Sequence, residues 1–376
     1  MNRRQHLFNQ IVLLAFFCRM VFDYFIPVRR GLKERVEVLG EKYLKQHPKA
    51  ALVIAFYRRG NGYGRGFGKI SVENPDPPST RTIFEIGSVT KVFTGLVLAK
   101  MVSDGMVKLA DPIGCHLPDG VKSPSKEGRE ITLENLATHT SGLPRMPDNF
   151  WPTVKDHLNP FGNYTAKDLY EGLATVKLRS RPGHKFSYSN YGYGLLGRIL
   201  EIKSGKSYET LIQEAVCDPL GLPNTTTQLS AEQKQQLTPG HDSNGQVVPN
   251  WEGGVLTGSG RIRSNCEDLL KFIEANLRDS DSETSKILQT AQQIHLRGLI
   301  RNLGLVWWID KSPPGGPVIH WHSGGTGGYT SFVGFNKKSQ IGVVVLSNYS
   351  AVLNGDSATD RIGLELLLTA GKLIFE

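Results

Sequence analysis

Segments with β-strand character lie near both ends of this 376-residue chain, and a region with helical character lies between them. Apolar strand-like runs begin at Ala51 and return between Leu305 and Leu346. From Asp111 to about Trp251, apolar residues instead recur at helical spacing, between loops rich in proline and glycine. Because strands bury their apolar faces by pairing and packing, the two ends are expected to share one sheet. The sequence therefore predicts an α+β fold in which an antiparallel sheet flanked by helices carries an inserted all-helical domain.

The same pattern predicts domain boundaries. The sheet domain is expected to comprise residues 31–110 and 253–376, and the helical insertion residues 111–252. Within these regions the predicted elements are a hairpin turning near 60–62, helices over 88–102 and 359–374, and strands at 305–309, 318–321, 330–335 and 341–346.

The first 30 residues form a separate N-terminal segment. Arg3 and Arg4 precede an apolar run over 11–18, which resembles the first two regions of a signal peptide. No small-residue cleavage site follows that run, and Arg19 and Asp23 would be costly inside a bilayer. The segment is therefore expected to be an export or anchor signal, or an amphipathic helix packed on the protein. An exported, periplasmic or membrane-anchored location is favoured over a cytoplasmic one, and any membrane association would run through this segment.

The composition excludes several classes of protein. A hydrophobic content of 39% and a charged content of 21% are ordinary for a soluble globular enzyme. The formal net charge is +9, but the basic residues are scattered and do not interleave with aromatic ones, so no nucleic-acid partner is expected. The four cysteines contain no C-x-x-C pair, which excludes a zinc ribbon and disfavours a disulfide framework.

The first candidate catalytic pattern is Ser88-Val-Thr-Lys91, at the start of a predicted helix. Residues i and i+3 share a helix face, so the Lys91 amine can lie beside the Ser88 hydroxyl. Serine becomes a strong nucleophile when a base takes its proton, and lysine can be that base if burial or nearby positive charge lowers its pKa. Backbone N–H groups at a helix N-terminus can also stabilise an oxyanion. On its own, the pattern also occurs on many helices that have no catalytic role.

The second candidate pattern is Tyr188-Ser-Asn190. A tyrosine phenol can transfer a proton when cationic neighbours favour its deprotonated form. The carboxamide of Asn190 both donates and accepts hydrogen bonds, and so suits a substrate amide. A turn with packed aromatic side chains would explain the same residues without any chemistry.

The third candidate pattern is the run His322, Ser323, Gly324 and Gly325, directly after a predicted strand. A strand edge of this kind can present backbone N–H groups to a substrate carbonyl, and glycine permits the close approach. His320 and His322 would share a strand face, which raises a metal site as an alternative. Because no third clustered His, Cys or carboxylate ligand accompanies them in the sequence, no metal is expected.

Together, the three patterns resemble the class C β-lactamase, DD-peptidase and esterase superfamily of serine hydrolases, in its S-x-x-K, Y-x-N and H-x-G form. They occur in the order of that family and with comparable spacing. The resemblance covers roughly residues 35–372 and includes further matching segments at 109–112, 136–144, 181–183, 218–222 and 258–264. It implies the β-lactamase/transpeptidase-like fold, an acyl-enzyme mechanism and no cofactor.

The resemblance also implies roles for the catalytic residues. Ser88 would attack the substrate carbonyl, while Lys91 and Tyr188 would share the proton transfers. The backbone N–H groups of Ser88 and Gly325 would form the oxyanion hole. The loop that contains His139 would be structural, so a Ser–His catalytic pair is not expected there.

The substrate-binding residues follow from the same resemblance. Asn190 would orient Lys91 and the substrate amide. His322 would line the opposite wall of the cleft with Ser323 and Gly324, and would either tune Tyr188 or meet a substrate carboxylate. The third motif begins with histidine, where efficient class C β-lactamases typically carry lysine. A neutral histidine supplies less fixed positive charge for a β-lactam carboxylate.

The resemblance therefore implies a serine acyl-transfer hydrolase acting on a D-alanyl-type peptide or a small ester, with DD-carboxypeptidase, endopeptidase or esterase activity ahead of antibiotic hydrolysis. A weak class C-type β-lactamase is the first alternative. A slow penicillin-binding sensor or scaffold, in which Ser88 is acylated without turnover, is the alternative outside enzymes. The expected partners are small molecules or peptides with a reactive carbonyl, including peptidoglycan fragments and β-lactams.

Overall fold

The structure is a computed structural model that describes residues 31–298, 302–311, 317–350 and 358–372. The predicted export or anchor segment, residues 1–30, lies outside the described residues. The last two residues of the predicted closing helix lie outside them as well. Within the described ranges, no helix combines the length and the apolar character needed to cross a bilayer.

Strands from both ends of the described chain form one seven-stranded antiparallel sheet. In chain order the strands are β1 (Ala51–Arg58), β2 (Asn61–Gly68), β3 (Asn302–Leu303), β4 (Trp308–Lys311), β5 (Val318–Gly325), β6 (Thr330–Asn336) and β7 (Ile341–Ser347). Their order across the sheet is β2-β1-β7-β6-β5-β4-β3, so the first hairpin pairs with the last strand. Two-residue pairs outside this sheet join Phe84–Glu85 to Arg263–Ser264, Ser125–Lys126 to Arg129–Glu130, and Gly240–His241 to Val247–Val248. The predicted antiparallel sheet is confirmed.

The predicted hairpin is present, whereas the strand predicted at 305–309 is confirmed only at its last two residues, Trp308 and Ile309. β1 and β2 are joined at Arg59 and Gly60, whose φ angles of 48° and 91° form a tight turn. Most of the predicted strand at 305–309 is instead a turn that precedes β4, in which Gly304 N–H donates to the Trp307 carbonyl at 2.8 Å. Trp307 is fully buried in the core. The apolar character of this segment therefore reflects core packing, which periodicity alone does not distinguish from strand pairing.

The described α-helices are α1 (Leu32–Gln46), α2 (Thr90–Ser103), α3 (Leu133–Ala137), α4 (Phe150–Thr153), α5 (Ala166–Thr175), α6 (Asn190–Ser204), α7 (Tyr208–Ile212), α8 (Asp218–Leu220), α9 (Ala231–Gln236), α10 (Cys266–Leu277), α11 (Glu283–Gln292) and α12 (Ala358–Lys372). Short 3₁₀ turns cover Gly87–Val89, Ile113–His116 and Thr257–Ser259, and a π-helical turn over Gln213–Cys217 follows α7. One face of the sheet packs against α1 and α12, and the other against α10.

Alternating residues of β1 enter two separate cores. Ile54 packs with Val343 in the core beneath α1 and α12. Val53 faces the opposite way and belongs to a larger core that contains Phe272 of α10. That larger core continues into the middle of the chain, where it includes Leu195 of α6. The helical region thus shares its core with one face of the sheet. The domain boundaries after residues 110 and 252 stay a prediction.

Helix α2 runs through the larger core. Every residue from Thr90 to Ala99 is buried, which requires neighbours on all sides of the helix. Those neighbours include α6, α11 and the turn Thr257–Ser259. This enclosure fixes the N-terminus of α2, which carries Ser88 and Lys91, where the sheet meets the helical region.

Candidate active site

Ser88 lies in the 3₁₀ turn Gly87–Val89, which leads directly into α2. Gly87 has a φ of 47°, and a Cβ atom at this position would lie 2.6 Å from the backbone nitrogen of Gly325. Glycine is therefore required where the turn meets β5. The turn leaves Ser88 half-buried at the start of α2, where the helix presents backbone N–H groups to a negative charge.

The Lys91 side chain is fully buried one helical turn after Ser88. Its Nζ lies 3.0 Å from Ser88 Oγ, 2.9 Å from Asn190 Oδ1 and 2.6 Å from the Ser259 carbonyl oxygen. Burial, and secondly the charge of Arg145, holds the pKa of Lys91 well below its usual range. In the neutral amine, two N–H bonds can serve the amide and carbonyl oxygens. The lone pair is then left to accept the proton of Ser88.

The Ser259 contact was not predicted from the sequence. The atom that holds Lys91 is a backbone carbonyl, and the turn Thr257–Ser259 places it against α2 and α6. Any residue type carries such a carbonyl. The segment 258–264 was marked in the sequence by its family resemblance and by Gly258 and Gly260, but neither feature identifies the atom that contacts Lys91. Sequence reasoning could therefore point to a special backbone path here, without identifying its contact.

The phenol of Tyr188 lies beside Ser88 and Lys91. Its hydroxyl is hydrogen bonded to Ser88, and its ring centroid lies 5.0 Å from Lys91 Nζ. Burial raises the pKa of Tyr188, while the bond to Ser88 and the charge of Arg145 oppose that rise. The ring is parallel to that of Trp308, with centroids 6.5 Å apart. The phenol is therefore held beside the serine in its protonated form, ready to donate.

The start of α6 positions Asn190 and Tyr188. Ser189 is the N-cap of this helix: its Oγ accepts from Gly192 N–H at 2.9 Å and donates to the Pro144 carbonyl at 2.6 Å. The Ser189 N–H donates to Nδ1 of His139 at 3.1 Å. The second motif is therefore held in place through both the backbone and the side chain of Ser189, its central residue.

His139 packs against the second motif. It is buried, its ring lies 4.4 Å from that of Tyr188, and burial holds its pKa well below the usual range. A neutral ring that accepts the Ser189 N–H at Nδ1 cannot also take the proton of a serine through that atom. This contact assigns His139 a structural place beside the motif.

The third motif lies on the part of β5 that extends beyond the end of the neighbouring strand β4. The pairing of β5 with β4 runs from Val318 to Trp321, and residues 322–325 continue beyond it along the turn that carries Ser88. A Cβ atom on Gly324 would lie 2.8 Å from the Ser88 backbone nitrogen and would collide with the Ile86 carbonyl. The two backbone segments therefore approach as closely as glycine allows.

His322 is buried at 3% exposure on the same strand end. Its Nδ1 lies 2.7 Å from the Ser323 carbonyl oxygen, which can only accept, so Nδ1 carries the proton. The described residues contain no group of three His, Cys, Asp or Glu side chains arranged to hold a metal ion. His320 stacks on Phe335 at 4.9 Å, and burial lowers its pKa to about 4.

Glycine at 324 should be essential for both folding and activity. We expect Gly324→Ala to lower the free energy of unfolding by about 1–3 kcal/mol, because there is no room for a methyl group between β5 and the backbone of Ile86 and Ser88. The rate of acylation should fall by about 10²-fold, since the Ser88 backbone would move relative to β5. Thermal unfolding and stopped-flow acylation measure the two effects. Gly62→Ala is the matched control, because its Cβ would meet only Leu270, at 3.9 Å, and normal behaviour of both variants would contradict the packing described.

The lowered pKa of Lys91 should make stability depend on pH. Between the folded-state pKa and the ordinary value of 10.5, the unfolded chain binds one more proton at this residue than the folded chain. Stability from this residue therefore rises with pH across that window, by at most about 1.4 kcal/mol per pH unit, and levels off above it. Urea denaturation of wild type and Lys91→Met should show wild type gaining relative stability as the pH rises towards 10.5. A stability difference that does not change with pH would mean that Lys91 stays charged in the folded protein.

The sequence matches the family model described as Beta-lactamase over residues 39–367. It is 30% identical to the D-alanyl-D-alanine-carboxypeptidase/endopeptidase AmpH of Escherichia coli strain K12. The aligned region of 311 residues covers 79% of each chain. The fold is similar to that of the β-lactamase/D-alanine carboxypeptidase from Yersinia pestis complexed with citrate, with a TM-score of 0.75 at 26% identity over 90% of this chain and 98% of that one.

The fold is also similar to that of a class C β-lactamase from Rhodobacter sphaeroides, with a TM-score of 0.77 at 23% identity, covering 88% of this chain and 98% of that one. These similarities confirm the predicted fold class and the predicted serine-hydrolase superfamily. The chain belongs to the β-lactamase family of serine hydrolases.

Proposed function

We propose that this serine hydrolase cleaves D-alanyl-type peptide bonds, or small esters, through an acyl-enzyme on Ser88. The observation that carries the proposal is the position of Lys91 Nζ, 3.0 Å from Ser88 Oγ and 2.9 Å from Asn190 Oδ1. Burial lowers the pKa of this amine. A neutral amine within hydrogen-bond reach of a hydroxyl is the arrangement that activates a serine nucleophile.

In acylation, Lys91 would take the hydroxyl proton as Ser88 Oγ bonds to the substrate carbonyl carbon. The carbonyl oxygen becomes an anion, which the backbone N–H groups of Ser88 and Gly325 would stabilise. As the bond to the leaving nitrogen or oxygen breaks, Tyr188 would supply that atom with a proton and recover one from Lys91. The proton of Ser88 thus ends on the leaving group, and the acyl group ends on Ser88.

In deacylation, water would attack the acyl carbon and give up a proton to the same pair of groups. The tetrahedral intermediate would again place its oxyanion between the two backbone N–H groups. Collapse of this intermediate would return the proton to Ser88 Oγ and release the carboxylic acid. An amine that replaces water would give transpeptidation in place of hydrolysis.

The names of two relatives support the proposed substrate class. The Escherichia coli relative is named a D-alanyl-D-alanine-carboxypeptidase/endopeptidase, and the Yersinia pestis structure is that of a β-lactamase/D-alanine carboxypeptidase. D-alanyl-D-alanine peptides, such as peptidoglycan fragments, are therefore the first proposed substrates. Residues 1–30 stay predicted as an export or anchor signal, or as an amphipathic helix packed on the protein. An export or anchor signal would bring the enzyme to such substrates.

Weak β-lactamase activity is the second candidate, because the name of the Yersinia pestis protein combines the two activities. The identity of residue 322 argues for low efficiency. In its neutral form, His322 directs its N–H to the Ser323 carbonyl. It therefore offers a β-lactam carboxylate neither a fixed charge nor a free donor at Nδ1.

A hydrolysis panel tests the proposal. Purified protein is assayed with a D-Ala-D-Ala peptide, a p-nitrophenyl ester and a chromogenic cephalosporin, with Ser88→Ala as the blank. We expect kcat/KM for the peptide or the ester to exceed that for the cephalosporin. Hydrolysis that persists in the Ser88→Ala protein would overturn the proposal. Stable acylation of Ser88 without turnover would instead identify a penicillin-binding sensor.

A further inference from the structure

Arg145 lies at the edge of the catalytic constellation, in the loop before α4. Its guanidinium carbon is 5.1 Å from the centroid of the Tyr188 ring, and its side chain is exposed. The Arg145 carbonyl accepts hydrogen bonds from the N–H groups of Asn190, at 2.9 Å, and Tyr191, at 3.1 Å. The backbone of Arg145 is therefore tied to the second motif, and its charge is held beside the phenol.

The guanidinium is available to an anion. In the part of the chain that the structure describes, no aspartate or glutamate forms an ion pair with Arg145. Its positive charge nevertheless acts on the site. Burial is the main cause of the lowered pKa of Lys91 and Arg145 the second, whereas for the lowered pKa of His139 the charge of Arg145 comes after burial and the charges of Lys91 and His322. Among the described residues, the Arg145 guanidinium makes no hydrogen bond to another side chain or to a carbonyl either. Its N–H groups can therefore bind a substrate anion.

Two other basic side chains of the constellation are poorly placed to bind a carboxylate. Lys91 is fully buried, and its amine contacts Asn190 Oδ1 and the Ser259 carbonyl. His322, when neutral, has its N–H directed to the Ser323 carbonyl. The third motif of this chain begins with this histidine and not with a lysine. A fixed positive charge for an anionic substrate would then come from another element.

The position of Arg145 also indicates which part of the substrate it would meet. Tyr188 is the proton donor proposed for the leaving atom, so its hydroxyl marks the leaving-group side of the cleft. When the leaving group is a C-terminal amino acid, its carboxylate is separated from the leaving nitrogen by one carbon atom. A cation 5.1 Å from the centroid of the Tyr188 ring would be a neighbour of that carboxylate in the bound substrate.

Resting on the proposed function, we propose that Arg145 binds the free C-terminal carboxylate of the substrate and makes this enzyme selective for carboxypeptidase-type substrates. The guanidinium would form a charge-assisted hydrogen bond with the carboxylate of the leaving residue. Substrates whose leaving group lacks a carboxylate would be hydrolysed by the same Ser88 chemistry without this contact.

The test compares two substrates that differ only in this group: an N-acetylated peptide ending in D-Ala-D-Ala as the free acid, and the same peptide as the C-terminal amide. kcat and KM are measured for wild type, Arg145→Met and Arg145→Lys. We expect Arg145→Met to lower the acid-to-amide ratio of kcat/KM by about 10-fold to 100-fold, the effect of losing one charge-assisted hydrogen bond. Arg145→Lys should restore part of the ratio, because it keeps the charge without the planar fork.

Two controls separate recognition of the carboxylate from other effects. Arg179→Met removes another exposed arginine and should leave the ratio unchanged. Raising the ionic strength should lower the ratio in wild type, because an exposed ion pair is screened by salt. An equal loss on both substrates in Arg145→Met would show that Arg145 acts on the catalytic groups, and would overturn the proposal.

Failure of this inference is distinguishable from failure of the proposed function. A wild-type enzyme that shows no preference for the acid over the amide contradicts the role of Arg145, whatever its absolute rates. The proposed function is unaffected by that result if a neutral p-nitrophenyl ester still acylates Ser88. The proposed function fails if neither peptide nor the ester gives an acyl-enzyme on Ser88.

Discussion

Replacing Lys91 with methionine should lower the rate of Ser88 acylation by about 10³-fold to 10⁴-fold while leaving the protein folded. Methionine keeps an unbranched apolar side chain as far as Cε, with sulfur in place of Cδ, and lacks the amine. Without that amine, the side chain left in hydrogen-bond contact with the Ser88 hydroxyl, among the described residues, is the phenol of Tyr188, which is protonated and therefore a poor base. The measurement is the single-turnover rate of acylation by an activated ester, followed by mass spectrometry.

The same helix offers a matched control for that substitution. Lys100 lies on α2 at its C-terminal end, where it forms ion pairs with Asp104 and Glu283 at the surface. Lys100→Met should retain the acylation rate of wild type, since this amine is remote from Ser88. Acylation by Lys91→Met within tenfold of wild type would mean that another group is the base.

Removing one oxygen atom from Tyr188 should have the second largest effect. We expect Tyr188→Phe to lower kcat by about 10²-fold to 10³-fold for a peptide, because the leaving amine must be protonated as its bond breaks. The loss should be smaller for a p-nitrophenyl ester, whose leaving group departs without a proton. Comparing kcat for the two substrates in wild type and variant measures this difference.

Tyr193 is the matched control for Tyr188. Its ring also lies near Lys91, 5.6 Å from Nζ, but its hydroxyl donates to the backbone carbonyls of Ala137 and Leu305. Tyr193→Phe should therefore lower the free energy of unfolding by about 1 kcal/mol and leave the peptide-to-ester ratio of kcat unchanged. Equal losses on peptide and ester in Tyr188→Phe would contradict the role of a proton donor to the leaving group.

The fold could be predicted because its elements have local signatures in the sequence. The β1–β2 hairpin follows from an apolar run before Gly60 and from glycine alternating with larger residues after it, and α2 follows from apolar residues at helical spacing. The turn around Leu305 was predicted as a strand because burial of Trp307 gives the same apolar signal as strand pairing. Long-range order, such as the pairing of β1 with β7, was expected only as a consequence of sharing one sheet.

The site was predictable where its chemistry resides in side chains at fixed spacing. Ser88 and Lys91 are one helical turn apart, so a local rule already brings their functional groups together. The Ser259 carbonyl that holds Lys91 has no side-chain signature and could not be found in this way. The proximity of the exposed Arg145 to the site could not be predicted either, because it depends on a contact with Tyr188, 43 residues further along the chain.

Mass spectrometry of the acylated protein tests the nucleophile most directly. Wild type is incubated with a fluorescent penicillin or an activated ester, digested, and the modified peptide is sequenced. We expect one acyl group on the side-chain oxygen of Ser88, absent from Ser88→Ala protein and much slower to appear in Lys91→Met protein. An acyl group on any other residue, or no acyl group with penicillin, ester and phosphonate probes alike, would contradict it.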